Sequence, residues 1–301
     1  GSPVFEWLGA YANLAGILWG GPDDGSSFVF SPMNQIEQEL GALTTYDPPG
    51  LGALKVAVGP DLYGYPWIVT NDGAIYGYNG TGWDQKEPPG TADDLAICGT
   101  SLTILTRPDS QGNRTVKSRD IFGNTWTTYL SIGTIDLKQV ACDGYEPVVL
   151  AATPNFGVYK YYNNTQSWKS IHDAASEISV MNGRLFFLYP TTTSGNVWSR
   201  YVDGGSYTRW GENLVAQKIA GDANGYPWVA TDATSNPLKK WETNYQKWTF
   251  GFNSGPVYEM DIQSYVRMYI LSDPQIFGGG YSLYSHELYS GGWTLYPLPN
   301  N

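Results

Sequence analysis

Gly64-Tyr65-Pro66-Trp67-Ile68-Val69-Thr70 returns as Gly225-Tyr226-Pro227-Trp228-Val229-Ala230-Thr231, 161 residues later. A weaker copy, Gly144-Tyr145-Glu146-Pro147-Val148-Val149-Leu150, stands near the midpoint, as an array of equal units requires. In each copy a Gly-led turn opens a short run of β-branched and apolar residues, which is the texture of a strand. The interval equals four periods of about forty residues.

A Trp closes each unit after a Gly-, Asn- or Ser-rich turn: Trp83, Trp126, Trp168, Trp210, Trp248 and Trp293, spaced 43, 42, 42, 38 and 45 residues. Six units are therefore visible between residues 51 and 301. Upstream of each Trp lies a β-like run: LKVAV, DLAIC, KQVAC, EISVM, QKIAG and YEMDI. These predict the innermost strands, with Val58, Cys98, Cys142, Val180, Ala220 and Asp261 in one column. Two further strands fit between, clearest as PWIVT and AIYGY in the first unit and PVVLA and GVYKYY in the third.

Four short strands at this period predict the blade of a β-propeller, because one small twisted sheet cannot bury both faces alone and needs neighbours in a ring. The six tryptophans then read as packing blade against blade. Residues 1–50 carry the same texture in degraded form, as EWLGAYA, LAGILWGG, SSFVFSP and IEQEL, with Leu40 where a Trp would fall. The expectation is an all-β chain forming one domain over 1–301, a seven-bladed propeller with 1–50 as a divergent blade. Six blades plus an N-terminal extension is the alternative.

Composition narrows the partners. Aromatic residues make up 15% of the chain, with 36 Gly and 19 Pro, a profile of short strands and many turns. Seventeen Lys and Arg face 28 Asp and Glu, a net charge of −11 that repels nucleic acid and anionic membranes. No apolar run approaches the ~18 residues of a membrane-spanning helix. The chain begins Gly1-Ser2 without Met, consistent with a processed start or a tag remnant. Three Asn-x-Thr sequons, at Asn79, Asn113 and Asn163, lie in turn-like contexts and are candidate glycosylation sites.

Signs of catalysis are sparse. Histidine occurs only at His172 and His286, and no H-E-x-x-H, C-x-x-C, phosphate loop or G-x-S-x-G is present, so neither cofactor nor metal is expected. The best enzyme alternative is a sialidase-type glycosidase, because Ser118-Arg119-Asp120-Ile121-Phe122-Gly123-Asn124-Thr125-Trp126 looks like an Asp-box with one residue too many. Such an enzyme needs several arginines converging on a carboxylate, and seven are available: Arg107, Arg114, Arg119, Arg184, Arg200, Arg209 and Arg267.

The stretch from Val56 to Trp83, VAVGPDLYGYPWIVTNDGAIYGYNGTGW, resembles the tectonin repeat, with its Val-Gly pair, aromatic-rich strand, Asn-Asp-Gly-Ala-Ile-Tyr element and closing Trp. The resemblance weakens along the later units and is next clearest from Gly225 to Trp248. It implies a six- or seven-bladed propeller without catalytic activity. For many members it implies carbohydrate binding on microbial or cell surfaces, and for others a place in trafficking assemblies. Ligand residues in such proteins lie in loops and differ between members, so none is transferred here.

A sugar site wants aromatic faces beside amide and carboxylate groups, a mixture offered by the loops holding Tyr65, Asn71, Asp72, Asn224 and Tyr226. The two tyrosines, each just before a Pro, are expected to be exposed. Cys98 and Cys142 fall in adjacent units and form a possible disulfide between blades. The functional expectation is a non-enzymatic, lectin-like protein that binds glycans or glycoproteins, secreted or at a cell surface. The alternative is a self-assembling structural subunit of an extracellular fibre or coat.

Overall fold

The computed structural model describes residues 2–8, 11–20 and 29–32 as backbone strands, and residues 52–298 except 59–63, 133–134, 145, 153–155, 191–194, 212–213, 233–236, 251–255, 263–266, 273–281, 289–292, 297 and the side chains of 250, 282, 287 and 293. Among these residues every regular element is a β-strand. The chain forms two compact units, 1–49 and 50–301.

In the first unit, β1 (Ser2–Leu8), β2 (Tyr11–Gly20) and β3 (Val29–Pro32) form an antiparallel three-stranded sheet. EWLGAYA is thus a hairpin rather than one strand. The stretch IEQEL with Leu40 lies outside the described residues.

The second unit is a six-bladed β-propeller. Its six four-stranded sheets span residues 53–87, 92–128, 137–172, 177–209, 218–250 and 257–296, each made of four consecutive antiparallel strands. The ring closes on itself without a seventh member: Ala53, Val56, Val58 and Ile68 of the first blade share a core with Tyr269, Leu271, Leu283 and Tyr296 of the sixth. Among the described residues each blade is made of strands consecutive in sequence, and the sixth supplies its own outer strand, Trp293–Tyr296.

The innermost strands meet around the axis, where each has an unpaired edge. A buried backbone N–H left without an acceptor costs about 1–3 kcal/mol. Side chains of the preceding blade remove that cost at four junctions. Asp94 accepts from Val140 N (2.8 Å), Gln139 from Ile178 N (2.9 Å), Ser179 from Gly221 N (3.1 Å) and Asp261 from Val58 N (2.8 Å). The last bond crosses the seam between the sixth and first blades, so the seam is latched like other junctions.

Six side chains share one level of this inner surface: Lys55, Asp94, Gln139, Glu177, Lys218 and Glu259. Each stands beside the same second-strand position, occupied by Val69, Leu105, Leu150, Leu188, Ala230 and Leu271. The even blades supply Asp94, Glu177 and Glu259, whereas the odd blades supply Lys55, Gln139 and Lys218. The structural repeat is therefore a pair of blades, present three times.

The outer parts obey the same rule. In odd blades a third-strand aromatic meets the closing Trp and an aromatic of the preceding blade, all edge to face. Tyr78 lies 5.3 Å from Trp83 and 5.1 Å from Tyr296, Tyr161 5.2 Å from Trp168 and 4.8 Å from Tyr129, and Trp241 5.3 Å from Trp248 and 5.6 Å from Trp210. Even blades carry Ser118-Arg119, Ser199-Arg200 and Ser285-His286 in the same strand. Ser118 bonds Tyr129 (2.7 Å), and Ser199 accepts from Trp210 Nε1 (2.9 Å), fixing those rings against the next blade.

Among the described side chains, the closing tryptophans lie between blades. Trp168 Nε1 donates to Leu130 O (2.6 Å) and Trp248 Nε1 to Trp210 O (3.0 Å), each reaching the preceding blade, while Trp83 and Trp126 border shared cores. The side chain of Trp293 lies outside the described ones.

Cys98 and Cys142 form a disulfide between the second and third blades, with Cα atoms 6.1 Å apart. The alignment that put them in one column requires correction. Cys98 follows the ring residue Asp94 by four positions and Cys142 follows Gln139 by three. Successive side chains of a strand face opposite ways, so this offset turns the two sulfurs toward each other.

Candidate functional site

In an up-and-down four-stranded blade, the turns joining strands one to two and three to four open on the same rim. On that rim the fifth blade carries a cleft of about 270 Å³, lined by Asp222, Asn224, Tyr226, Trp228, Lys240, Trp241, Glu242, Thr243 and Asn244, with Leu288 of the sixth blade.

Asp222 organises the first of its two loops. Its Oδ1 accepts from the backbone N–H of Asn224 (3.0 Å) and Tyr226 (2.9 Å), and its Oδ2 from Trp228 Nε1 (3.3 Å). Gly225 sits between them at φ +81°, a conformation that L side chains resist. This Asx-type turn holds Asn224 and Tyr226 at the mouth. Trp228 forms the buried floor, with Lys240 Nζ 5.5 Å from its ring centroid and 3.4 Å from Glu242 Oε1. The second loop, 243–246, projects Tyr245, 71% exposed, at its tip.

Of the five ligand candidates, Asn224 and Tyr226 come together in this cleft. Tyr65, Asn71 and Asp72 belong elsewhere. Tyr65 precedes the strand Pro66–Thr70 and Asn71 follows it, so the chain carries them to opposite rims, a separation of about 17 Å or more at the rise of a β-strand. Asp72 Oδ1 accepts from Thr70 Oγ1 (2.6 Å) and Ala74 N (3.1 Å), closing a turn. The two tyrosines are half-buried rather than exposed. Tyr65 packs edge-on to Tyr78 at 5.7 Å and Tyr226 to Trp210 at 6.3 Å.

No family model and no curated protein matches this sequence. Solved structures share its fold. The nidogen/laminin complex contains a chain with a TM-score of 0.58 at 9% identity, over 81% of this chain and 90% of that one. TolB from Acinetobacter baumannii gives 0.55 at 11%, over 82% and 68%. YCF48 from Cyanidioschyzon merolae gives 0.51 at 11%, over 83% and 86%. Likeness at this identity establishes the propeller architecture alone.

The Asp-box-like segment is a structural corner. Arg119 is buried, bonded to Glu87 (3.0 Å) and to the carbonyls of Asp120 (3.0 Å), Ile121 (3.3 Å) and Gly123 (2.7 Å), and stacks 5.2 Å from Trp126. The other arginines are dispersed. Arg107 and Arg114 share Asp93, Arg184 lies over Tyr201, and Arg200 donates to Ile171 O and Tyr207. His172 stacks 4.1 Å from Phe187 and bonds Tyr207 (3.2 Å), and burial lowers its pKa. Among the described residues no group of three or more His, Cys, Asp or Glu is arranged to hold a metal ion, and no helix is long and apolar enough to cross a membrane.

All three sequon asparagines are exposed. Asn79 and Asn163 lie on the rim that carries the cleft, and Asn113 on the opposite one. Asn79 Oδ1 accepts from Thr81 N, Thr81 Oγ1 and Gly82 N, each at 2.9 Å.

Sequence reasoning missed Lys160 and Lys240. They occupy equivalent third-strand positions, facing Val148 and Trp228 across their sheets. Lys160 is buried among Asp143 (2.8 Å), Glu146 (3.2 Å) and Asp203 of the next blade (2.9 Å). Burial alone lowers an amine's pKa, but these carboxylates outweigh it and raise that of Lys160. In the first blade Gly77 takes this place, and the Trp67 ring rests against it. One signal was available: in both strands a Lys directly precedes the packing aromatic, Lys160 before Tyr161 and Lys240 before Trp241.

Proposed function

We propose that this protein is a non-enzymatic, tectonin-like propeller that binds carbohydrate through the cleft of its fifth blade. The observation that carries the reading is the composition of that cleft: indole and phenol rings beside amide, hydroxyl, carboxylate and ammonium groups, on two turns held by a rigid sheet. Sugars need that mixture, a ring edge or face for C–H groups and fixed polar atoms for hydroxyls. The Cys98–Cys142 disulfide supports secretion or a cell-surface location, where such bonds persist.

A glycan array probed with the wild-type protein and with Asn224→Ala and Tyr226→Ala variants tests the reading. Selective hits that both variants lose are the expected result. A blank array with folded protein rules the reading out.

A second reading, an assembly subunit, draws support from the second blade. Phe122 and Leu130 are exposed there by 83% and 66%, beside an outer strand only two residues long, Thr127–Thr128. Exposed apolar side chains of this size offer a surface on which another chain can pack. Concentration-dependent polymerisation, abolished by Phe122→Ser with Leu130→Ser, is what that reading expects.

A further inference from the structure

The fifth-blade cleft has an internal counterpart that shows what it is built to hold. Lys160 of the third blade and Lys240 of the fifth are equivalent by strand register and by the two-blade repeat. Around Lys160 stand three carboxylates, and one, Asp203, is delivered by the fourth blade with its side chain 69% exposed. Asp203 Oδ1 accepts from Lys160 Nζ at 2.9 Å and from Tyr162 Oη at 3.2 Å. It reaches in from the rim as a ligand would.

Around Lys240 the set is incomplete. Glu242 is its one ion-pair partner among the described residues, at 3.4 Å, and Asp222 lines the cleft while engaged by three N–H groups. Tyr226 stands where the third blade has Glu146, since each directly precedes the proline that opens the second strand. The cleft of about 270 Å³ opens beside the Lys240 ammonium, room enough for one or two sugar rings.

We propose that this cleft binds an acidic saccharide, with the sugar carboxylate paired to Lys240 in the manner of Asp203 on Lys160. Asn224, Thr243 and Asn244 are then placed to meet hydroxyls. A ligand carboxylate would give Lys240 a second anionic partner beside Glu242, still fewer than the three that Lys160 holds. The proposal rests on the carbohydrate reading and adds the chemical class of its ligand.

Matched pairs of oligosaccharides separate the two ideas. Glucuronate-terminated and sialate-terminated probes are titrated calorimetrically into the full chain beside their neutral counterparts. The acidic member is expected to bind about tenfold tighter, equivalent to one charge-assisted contact, and Lys240→Gln, with an unchanged melting temperature, is expected to erase the preference. Equal binding of acidic and neutral probes overturns the carboxylate assignment and leaves carbohydrate binding standing. A preference that survives Lys240→Gln also overturns it, and absence of binding by every probe overturns both. Asp203→Ala gives an independent readout. It vacates the third-blade position and is expected to raise the stoichiometry for acidic probes from one toward two, whereas an unchanged stoichiometry overturns the equivalence of the two lysines.

Discussion

Lys55 Nζ lies 2.7 Å from Glu259 Oε2, an ion pair that joins the first blade to the sixth beside the Asp261 bond to Val58. Both side chains are mostly removed from water, and Lys218 approaches the same oxygen at 3.3 Å. Burial raises the Glu259 pKa, but the two ammonium groups outweigh it and leave the carboxyl below its ordinary value. Lys55→Met leaves Glu259 and Asp94 short of a counter-charge. It is expected to cost on the order of 3 kcal/mol in chemical denaturation, with much of that recovered by adding Glu259→Gln.

Gln139 stands where the two-blade repeat places a lysine in the other odd blades. Its amide does different work, accepting from Ile178 N at 2.9 Å and donating to Ile178 O at 3.0 Å. Gln139→Ala strands both backbone groups, and a loss of about 1–3 kcal/mol is expected. Faster hydrogen exchange at Ile178, beyond the global change, is the local signature to measure.

The buried acids of the inner strands make stability depend on pH. Burial pushes Asp94 up to about 6 and raises Glu177, and burial pushes Asp261 up to about 7. Groups that hold protons more tightly when folded contribute stability fully below their unfolded values, near 4, and lose it as pH rises through the folded ones. Glu259 and His172, both held below their ordinary values, act in the opposite sense and lose their contribution as pH falls. The three raised groups outnumber these two, so the melting temperature is expected to be higher at pH 5 than at pH 8. Asp261→Asn keeps an acceptor for Val58 without the charge but gives up the second acceptor that Ile262 N uses at 2.8 Å, so it is expected to flatten that slope while lowering the melting temperature at pH 5.

The Cys98–Cys142 bond closes a 44-residue separation across one blade junction. Replacing both cysteines by Ala is expected to lower stability by about 2–4 kcal/mol, while leaving the circular dichroism of the native sheet unchanged. The same loss should follow reduction of the wild type, and denaturant titration with and without reductant measures it.

Much of the architecture was legible because a blade is a local object. Four short strands, their turns and a closing Trp lie within about forty consecutive residues, so recurrence of GYPW and the Trp spacing exposed the six units and their packing residues. The seventh blade did not appear at the N-terminus, where apolar runs alone suggested it and the chain instead makes a three-stranded sheet, so the six-bladed alternative holds. Apolar texture reports that strands form, not which sheet they join.

The site divided along the same line. Asn224 and Tyr226 were readable as loop residues flanking a strand, and so were Tyr65 and Asn71, yet only the first pair shares a turn. What the sequence by itself determined is the strand, the turn and the period, since these follow from neighbouring residues. Which way Cys98 and Cys142 face, which acids surround Lys160, and why Lys240 borders an open cleft were decided by tertiary structure. Those relationships join residues from different blades, where a one-residue offset in register reverses the direction of a side chain.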